Sequence, residues 1–318
     1  MKIFLIAGEA SGDALRAALM AGLKSLVPDL TFDGIGGARM AAEGLTSRFP
    51  MEELSVMGLM EVLPNYRHRK RRIAETAAAV TAAAPDAPDA LITINSPDFC
   101  LRVAKAARAA KPDLKTIHYV APTVWAWRPG RAAAMAPVID HVLALFPFEP
   151  AYMTAAGMTC DFVGHPVVTE PLAAPEAAAA FRKTHMIGPD QPLVLCLPGS
   201  RRGEVTRLLP RFGEALTILP DREPGLRGVI PTVRGVAPLV RDIARRWPSA
   251  PLVVEDADDK RAAFAAADLA LAASGTVSLD LAANRVQVVI GYDMNWLSRL
   301  LIGRMLKVAT VTLVTLVS

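Results

Sequence analysis

Residues 194–204, Val194-Leu195-Cys196-Leu197-Pro198-Gly199-Ser200-Arg201-Arg202-Gly203-Glu204, decide how this chain is read. Four apolar residues predict a buried strand. Pro198, Gly199 and Ser200 predict a tight turn, and Arg201 and Arg202 open a helix with Glu204 one turn in. Glycine lets backbone approach a ligand, and the first N–H groups of a helix point outward. The helix dipole favours an anion there, and a guanidinium can hold two phosphate oxygens at once. The stretch therefore reads as a diphosphate seat. It reads equally well as an ordinary strand-turn-helix with solvated arginines, so the rest of the chain has to decide.

A chain of 318 residues suggests two domains, here 1–168 and 169–318. At 52% hydrophobic and 21% charged it has ample core and is not disordered. A net charge of +4 is too small to imply nucleic acid but suits an anionic substrate or membrane surface. Cys100, Cys160 and Cys196 are scattered and odd in number, which predicts free thiols, with those at apolar runs buried. The first apolar run is too short for a signal peptide, and no run of 18 apolar residues would span a bilayer. The expectation is a cytoplasmic protein that lies on a membrane.

Short apolar runs at 3–7, 90–94, 116–120, 141–146 and 160–163 predict strands of a first α/β series. Runs at 194–197, 228–231, 251–255, 269–272 and 287–291 predict a second, and residues 167–190 read as the link between them. Glycine turns follow the first run (Gly8 to Asp13, GEASGD) and a second strand end (Gly34 to Gly37, GIGG), but neither has the dinucleotide fingerprint. Ligands of open α/β sheets bind at the carboxyl ends of strands, and Asp98 stands at such an end behind Pro97. Partial burial would suit it to general-base work; capping the next helix is the equal alternative. Trp125 and Trp127, beside arginines, suit stacking on a base or sugar, or simple helix-sheet packing. His165, alone before a proline, reads as structural. The apolar run 56–63, followed by Arg67, Arg69, Lys70, Arg71 and Arg72, has the pattern of an interfacial membrane contact or of a core helix and a solvated helix start. Ser274, Gly275 and Thr276 form a second strand-end turn able to hold phosphate, with Asp280 one turn later. No metal-ligand spacing and no nucleophile elbow is present in the sequence.

Together these segments resemble the lipid-A-disaccharide synthase family of glycosyltransferases: GEASGD at Gly8, GIGG at Gly34, MGLMEVL at Met57, SPDF at Ser96, VWAWR at Val124, FPFE at Phe146, VGHP at Val163, LPGSRRGE at Leu197, ASGT at Ala273 and YDMNW at Tyr292. The resemblance implies an α/β fold of GT-B type, with two Rossmann-like α/β/α domains, a cleft between them and a truncated second domain. It implies inverting transfer from UDP-2,3-diacylglucosamine to 2,3-diacylglucosamine 1-phosphate (lipid X), giving the β-1,6-linked disaccharide and UDP, with no metal or other cofactor. Asp98 would be the general base. Ser200, Arg201, Glu204, Ser274, Gly275, Thr276 and Asp280 would hold UDP. Gly8, Glu9, Ser11 and Gly12 would line the acceptor side, and Met57, Leu59 and Met60 would dip toward the anionic inner membrane. A homodimer with exchanged C-terminal parts is also implied.

The sequence departs from the family pattern at Asn95 (usually acidic), Cys100 (usually Asn), Asp280 (usually Glu) and Thr315 (commonly Asn), and the family continues beyond Ser318. Competing readings are another UDP-sugar enzyme of the same fold (an epimerase or peptidoglycan-type transferase), an inactive UDP-binding homologue, and a nicotinamide dehydrogenase.

Overall fold

The computed structural model describes residues 1–8, 13–54, 66–83, 87–126, 128–168, 171–219, 223, 225–291 and 293. The chain divides into two compact units, Met1–His165 and Pro166–Ser318.

The first unit runs β1 (Lys2–Ala7), α1 (Asp13–Leu26), β2 (Thr31–Ile35), α2 (Ala38–Ala42), a short 3-10 turn (Met51–Leu54), α3 (Tyr66–Val80), β3 (Ala90–Ile94), α4 (Pro97–Ala110), β4 (Lys115–Tyr119), α5 (Gly130–Met135), β5 (His141–Ala144), α6 (Glu149–Thr154) and β6 (Thr159–Phe162). Its sheet has the order β2-β1-β3-β4-β5-β6. Every pairing is parallel. The strand expected over 141–146 ends at Ala144 because the N–H groups of Leu145 and Phe146 donate to the Glu149 carboxylate instead of a neighbouring strand.

The second unit runs from a 3-10 turn (Pro166–Val168) through α7 (Pro175–Thr184), β7 (Leu193–Leu197), α8 (Arg202–Ile218), β8 (Arg227–Pro231), α9 (Ala237–Ala244), β9 (Leu252–Val254), α10 (Ala257–Ala266), β10 (Leu269–Ala273) and α11 (Val277–Ala283) to β11 (Gln287–Gly291). Its sheet, in the order β11-β10-β7-β8-β9, is also all parallel. Alternate residues of β7 feed two cores. Leu193, Leu195 and Leu197 pack with Phe181 of α7, Ala263 of α10 and Leu281 of α11. Val194 and Cys196 pack with Leu209 and Phe212 of α8 and Val240 of α9. A parallel strand covered on both faces must be apolar throughout, which is why 193–197 reads as an unbroken apolar run.

The segment 167–190 is not the bare link that its composition suggests. Phe181 is buried in the second unit's core, and Arg182 donates to the carbonyls of Gly188, Gln191 and Ala266. All three cysteines are free, with Cys100 and Cys196 buried and Cys160 partly so.

Gly213 of α8 lies against the buried Trp247, and a Cβ placed there would sit 2.3 Å from the ring. Gly213→Ala gains up to about 1 kcal/mol of helix propensity but overpacks the ring at a cost of about 1–3 kcal/mol. The urea midpoint of the variant falls below that of the wild type. An equal or higher midpoint would show that Trp247 yields without cost.

Candidate functional site

Strand order locates the two edges that can bind ligands. In the first sheet the chain goes from β1 outward to β2, then returns to place β3 on the other side of β1. In the second it goes from β7 outward through β8 and β9, then returns to place β10 beside β7. At such a reversal the turns leaving two adjacent parallel strands diverge and open a crevice at their carboxyl ends.

In the second unit that crevice lies between the turn after β7 and the turn after β10, brought side by side because Leu197 pairs with Ala272. Gly199 (φ +103°) and Gly275 (φ +153°) turn the backbone through conformations that side chains resist. A Cβ on Gly199 would also strike Glu204 Oε2. Arg201 is the N-cap of α8. Glu204 folds back under the turn, its Oε2 accepting from the Arg201 N–H (3.3 Å) and its Oε1 from the Arg201 guanidinium (3.0 Å). Glu204 therefore organises the turn and aims Arg201, whose side chain is 51% exposed. Ser200 is exposed, Ser274 and Asp280 are half-buried, and Thr276 is exposed. Ser278 donates to the Gly275 carbonyl (2.8 Å) and fixes the second turn. Just past β11, Asp293 accepts from Arg211 of α8 (3.0 Å).

In the first unit the crevice lies between β1 and β3. Gly8 follows β1, and a Cβ there would sit 1.9 Å from Ser96 Oγ, so only glycine permits this approach. Glu9, Ser11 and Gly12 lie outside the described residues, as do Met57, Leu59, Met60 and Trp127. Asn95 (φ +56°) and Ser96 (φ +43°) leave β3 in left-handed conformations, and Val120 (φ +76°) and Arg128 (φ +51°) do the same after β4. Each such residue costs on the order of 1–3 kcal/mol, and such strain clusters where backbone is held for a purpose.

Asp98 sits in the first turn of α4, behind Pro97. The partial burial that would suit it to general-base work is absent. Its side chain is 76% exposed, and its Oδ1 lies 3.4 Å from Arg131 Nη2 of α5. His118 of β4 is fully buried, its Nδ1 2.8 Å from Thr93 Oγ1. Burial first, and the Arg131 charge second, hold His118 down to about 4, so it is neutral at physiological pH. The stacking role offered for Trp125 is excluded by its burial: it is 8% exposed, its ring meets Phe148 edge-on (5.3 Å), and its indole N–H donates to Glu149 Oε1 (3.4 Å). His165 stacks on Phe146 (5.9 Å), and burial lowers its pKa.

Sequence reasoning missed Arg131 as the partner of Asp98, the buried His118–Thr93 pair, the fully buried Arg16 of α1, and Glu149 as a buried carboxylate. Only Arg131 and Glu149 left a signal, standing inside WRPGR and FPFE. The basic cluster of α3 is less open than its composition suggests. Arg72 is bound to Glu53 through two nitrogens, also donates to Glu75, and lies over the Phe49 ring (4.3 Å). Arg71 pairs with Glu75, while Arg67 and Lys70 are exposed. Among the described residues, no group of three or more His, Cys, Asp or Glu is placed to hold a metal ion, and no helix is long and apolar enough to cross a membrane.

Comparison with known proteins covers nearly the whole chain. The family model described as lipid-A-disaccharide synthetase matches residues 3–318. A lipid-A-disaccharide synthase of Ruegeria pomeroyi is 59% identical, with the match covering 100% of this chain and 80% of that protein. One of Rhodospirillum centenum is 49% identical, over 99% of this chain and 78% of that protein. Among solved structures, an S. aureus MnaA–UDP co-structure is similar with a TM-score of 0.65 at 14% identity, covering 98% of this chain and 84% of that one. A UDP-GlcNAc 2-epimerase from Neisseria meningitidis bound to UDP-GlcNAc gives a TM-score of 0.66 at 12% identity, covering 92% of this chain and 83% of that one. At these identities the solved structures speak to fold alone, and that fold is a pair of parallel-sheet α/β domains.

Proposed function

The chain belongs to the lipid-A-disaccharide synthase family, and on that premise we propose how its residues divide the transfer reaction. It is a glycosyltransferase of lipid A biosynthesis; the epimerase reading is not favoured, since the epimerase structures are similar in fold at 12–14% identity. The observation that carries the assignment of roles is the pair of glycine turns side by side after β7 and β10, with Arg201 capping α8.

The donor is UDP-2,3-diacylglucosamine, and its diphosphate is held by the second unit. Ser200, Ser274 and Thr276 supply hydroxyls, Arg201 supplies charge, and Gly275 lets the backbone come close. Asp280 takes ribose hydroxyls, and Glu204 keeps Arg201 aimed. The acceptor is 2,3-diacylglucosamine 1-phosphate, lined by Gly8, Glu9, Ser11 and Gly12. Asp98 accepts the proton of the acceptor 6-hydroxyl as that oxygen bonds to the anomeric carbon with inversion. The bond from that carbon to the diphosphate oxygen breaks, and its electron pair leaves with UDP. Arg201 meets the negative charge that develops there, a contact stronger in the transition state than before it. Arg131 steadies the Asp98 carboxylate from the side.

Both substrates carry acyl chains, which supports peripheral contact with an anionic membrane surface. Met57, Leu59 and Met60 supply the apolar part, and the exposed Arg67 and Lys70 of α3 supply about 1 kcal/mol of attraction each near anionic lipid.

Four experiments test these roles. With UDP-diacylglucosamine and lipid X, the chain releases UDP and disaccharide in equal amounts. Asp98→Ala abolishes both while calorimetry shows unchanged UDP affinity; full turnover by the variant would remove Asp98 from the base role. Arg201→Ala loses a charge-assisted contact of about 1.5–3 kcal/mol, so UDP binds at least tenfold more weakly; unchanged affinity would move the diphosphate seat elsewhere. The Met57→Ser/Met60→Ser double variant sediments less with anionic phosphatidylglycerol vesicles than the wild type does; equal sedimentation would sink the membrane patch.

A further inference from the structure

We propose that Glu149 is a positioning residue for the transfer reaction: its carboxylate ties the loop after β5 to Trp125, and through Trp125 it fixes the segment that carries Arg131 to Asp98. This rests on the role given to Asp98 above.

The geometry has three parts. Glu149 is 2% exposed, and its Oε2 accepts from the N–H groups of Leu145 (3.0 Å) and Phe146 (3.1 Å). Its Oε1 faces the Trp125 indole N–H (3.4 Å). Trp125 is thereby held at two points, by this contact and by the Phe148 ring, which itself stacks on Phe146 (5.7 Å). Trp125 belongs to the connection from β4 to α5, which opens at the strained Val120 and leads into α5, whose second residue, Arg131, lies 3.4 Å from Asp98. Two neighbouring strand ends are thus joined through one buried carboxylate, on the edge of the sheet that carries Asp98.

All three partners of Glu149 are N–H donors, which suits an ionised carboxylate; a protonated one would turn its proton toward a donor. Burial opposes ionisation and pushes the group up to about 7, while the three donors pull the other way. The Cys160 thiol of β6, itself pushed up to about 11, also faces Glu149 and stays neutral through this range. His165, stacked on Phe146, is a further titratable group of this cluster, and burial lowers its pKa; Asp161 is a charge beside Cys160.

A residue that only ended β5 would need the two backbone contacts and not the third. Glu149→Gln separates the two roles. Its amide oxygen still accepts from Leu145 and Phe146, but its amide N–H group now meets the Trp125 N–H, donor against donor. With the chain labelled with fluorotryptophan, the Trp125 fluorine resonance, assigned by its loss in Trp125→Phe, shifts with a midpoint near pH 7 in the wild type and loses that shift in Glu149→Gln, where His165 is still present. The kcat of Glu149→Gln falls about tenfold or more, the scale of a misplaced catalytic segment. UDP affinity is unchanged, and adding Glu149→Gln to Trp125→Phe lowers kcat no further. Retention of the wild-type kcat, persistence of the fluorine titration in Glu149→Gln, or multiplying effects in the double variant would each overturn the proposal. A wild-type chain that shows the fluorine titration but makes no disaccharide would overturn the reaction and leave the Glu149–Trp125 tie standing.

Discussion

In both units every strand pair is parallel, so the chain must return across a face of the sheet before it can begin the next strand. All strand-to-helix turns therefore leave from one edge, and both faces are covered. The core and the site follow from that single constraint. Strands buried on both sides become unbroken apolar runs, and polar chemistry is pushed to their carboxyl ends. Asn95, Ser96, Asp98, Arg131 and Glu149 all stand at or just beyond that edge in the first unit. Ser200, Arg201 and Ser274 to Thr276 do so in the second.

The same constraint explains how much could be read beforehand. Double-sided burial makes a parallel strand conspicuous, and each strand expected from an apolar run within the described residues is present; the strand-like run 308–317 lies outside them. The errors arose where a side chain competed with the backbone. Residues 145 and 146 are as apolar as the strand before them, but Glu149, three or four positions on, takes their N–H groups. The segment 167–190 has the composition of a link, yet Phe181 and Arg182 tie it into a core through partners 80 or more residues away. Local pattern carries no trace of such partners. Burial at the site was equally hidden. Asp98, whose reading as a base asks for partial burial, is open, and of the two readings of Trp125 it is packing, not an available stacking face, that holds. The resemblance to a family gave roles to positions; it did not say which neighbours hold them.

The two crevices are built by different means. In the second unit the backbone does most of the work. Two glycines take conformations that side chains resist, and a helix start lies close by. A single carboxylate, Glu204, satisfies the turn and orients Arg201. The diphosphate seat proposed there can be exposed, because an anion would bring its own charge to the N–H groups and the guanidinium. In the first unit the backbone is held under strain by residues other than glycine, at Asn95, Ser96, Val120 and Arg128. That strain persists only where packing over-determines it, and the packing at the β4 and β5 ends is the ring array of Trp125, Phe146 and Phe148.

A buried carboxylate at the centre of that array is a costly choice for mere stability. Raising a carboxyl from 4.5 to about 7 means that ionisation weakens the fold as pH climbs through that range, because the folded state holds the proton longer than the unfolded one. His118 and His165 act in the opposite sense, since burial lowers both and the unfolded chain gains protons first as pH falls. An apolar residue at 149 would avoid the first cost, but it would leave the N–H groups of Leu145, Phe146 and Trp125 without an acceptor in a dry place. One carboxylate meets all three at once. The burden on stability is therefore best understood as the consequence of joining two strand ends rigidly at the edge where Asp98 and Arg131 meet.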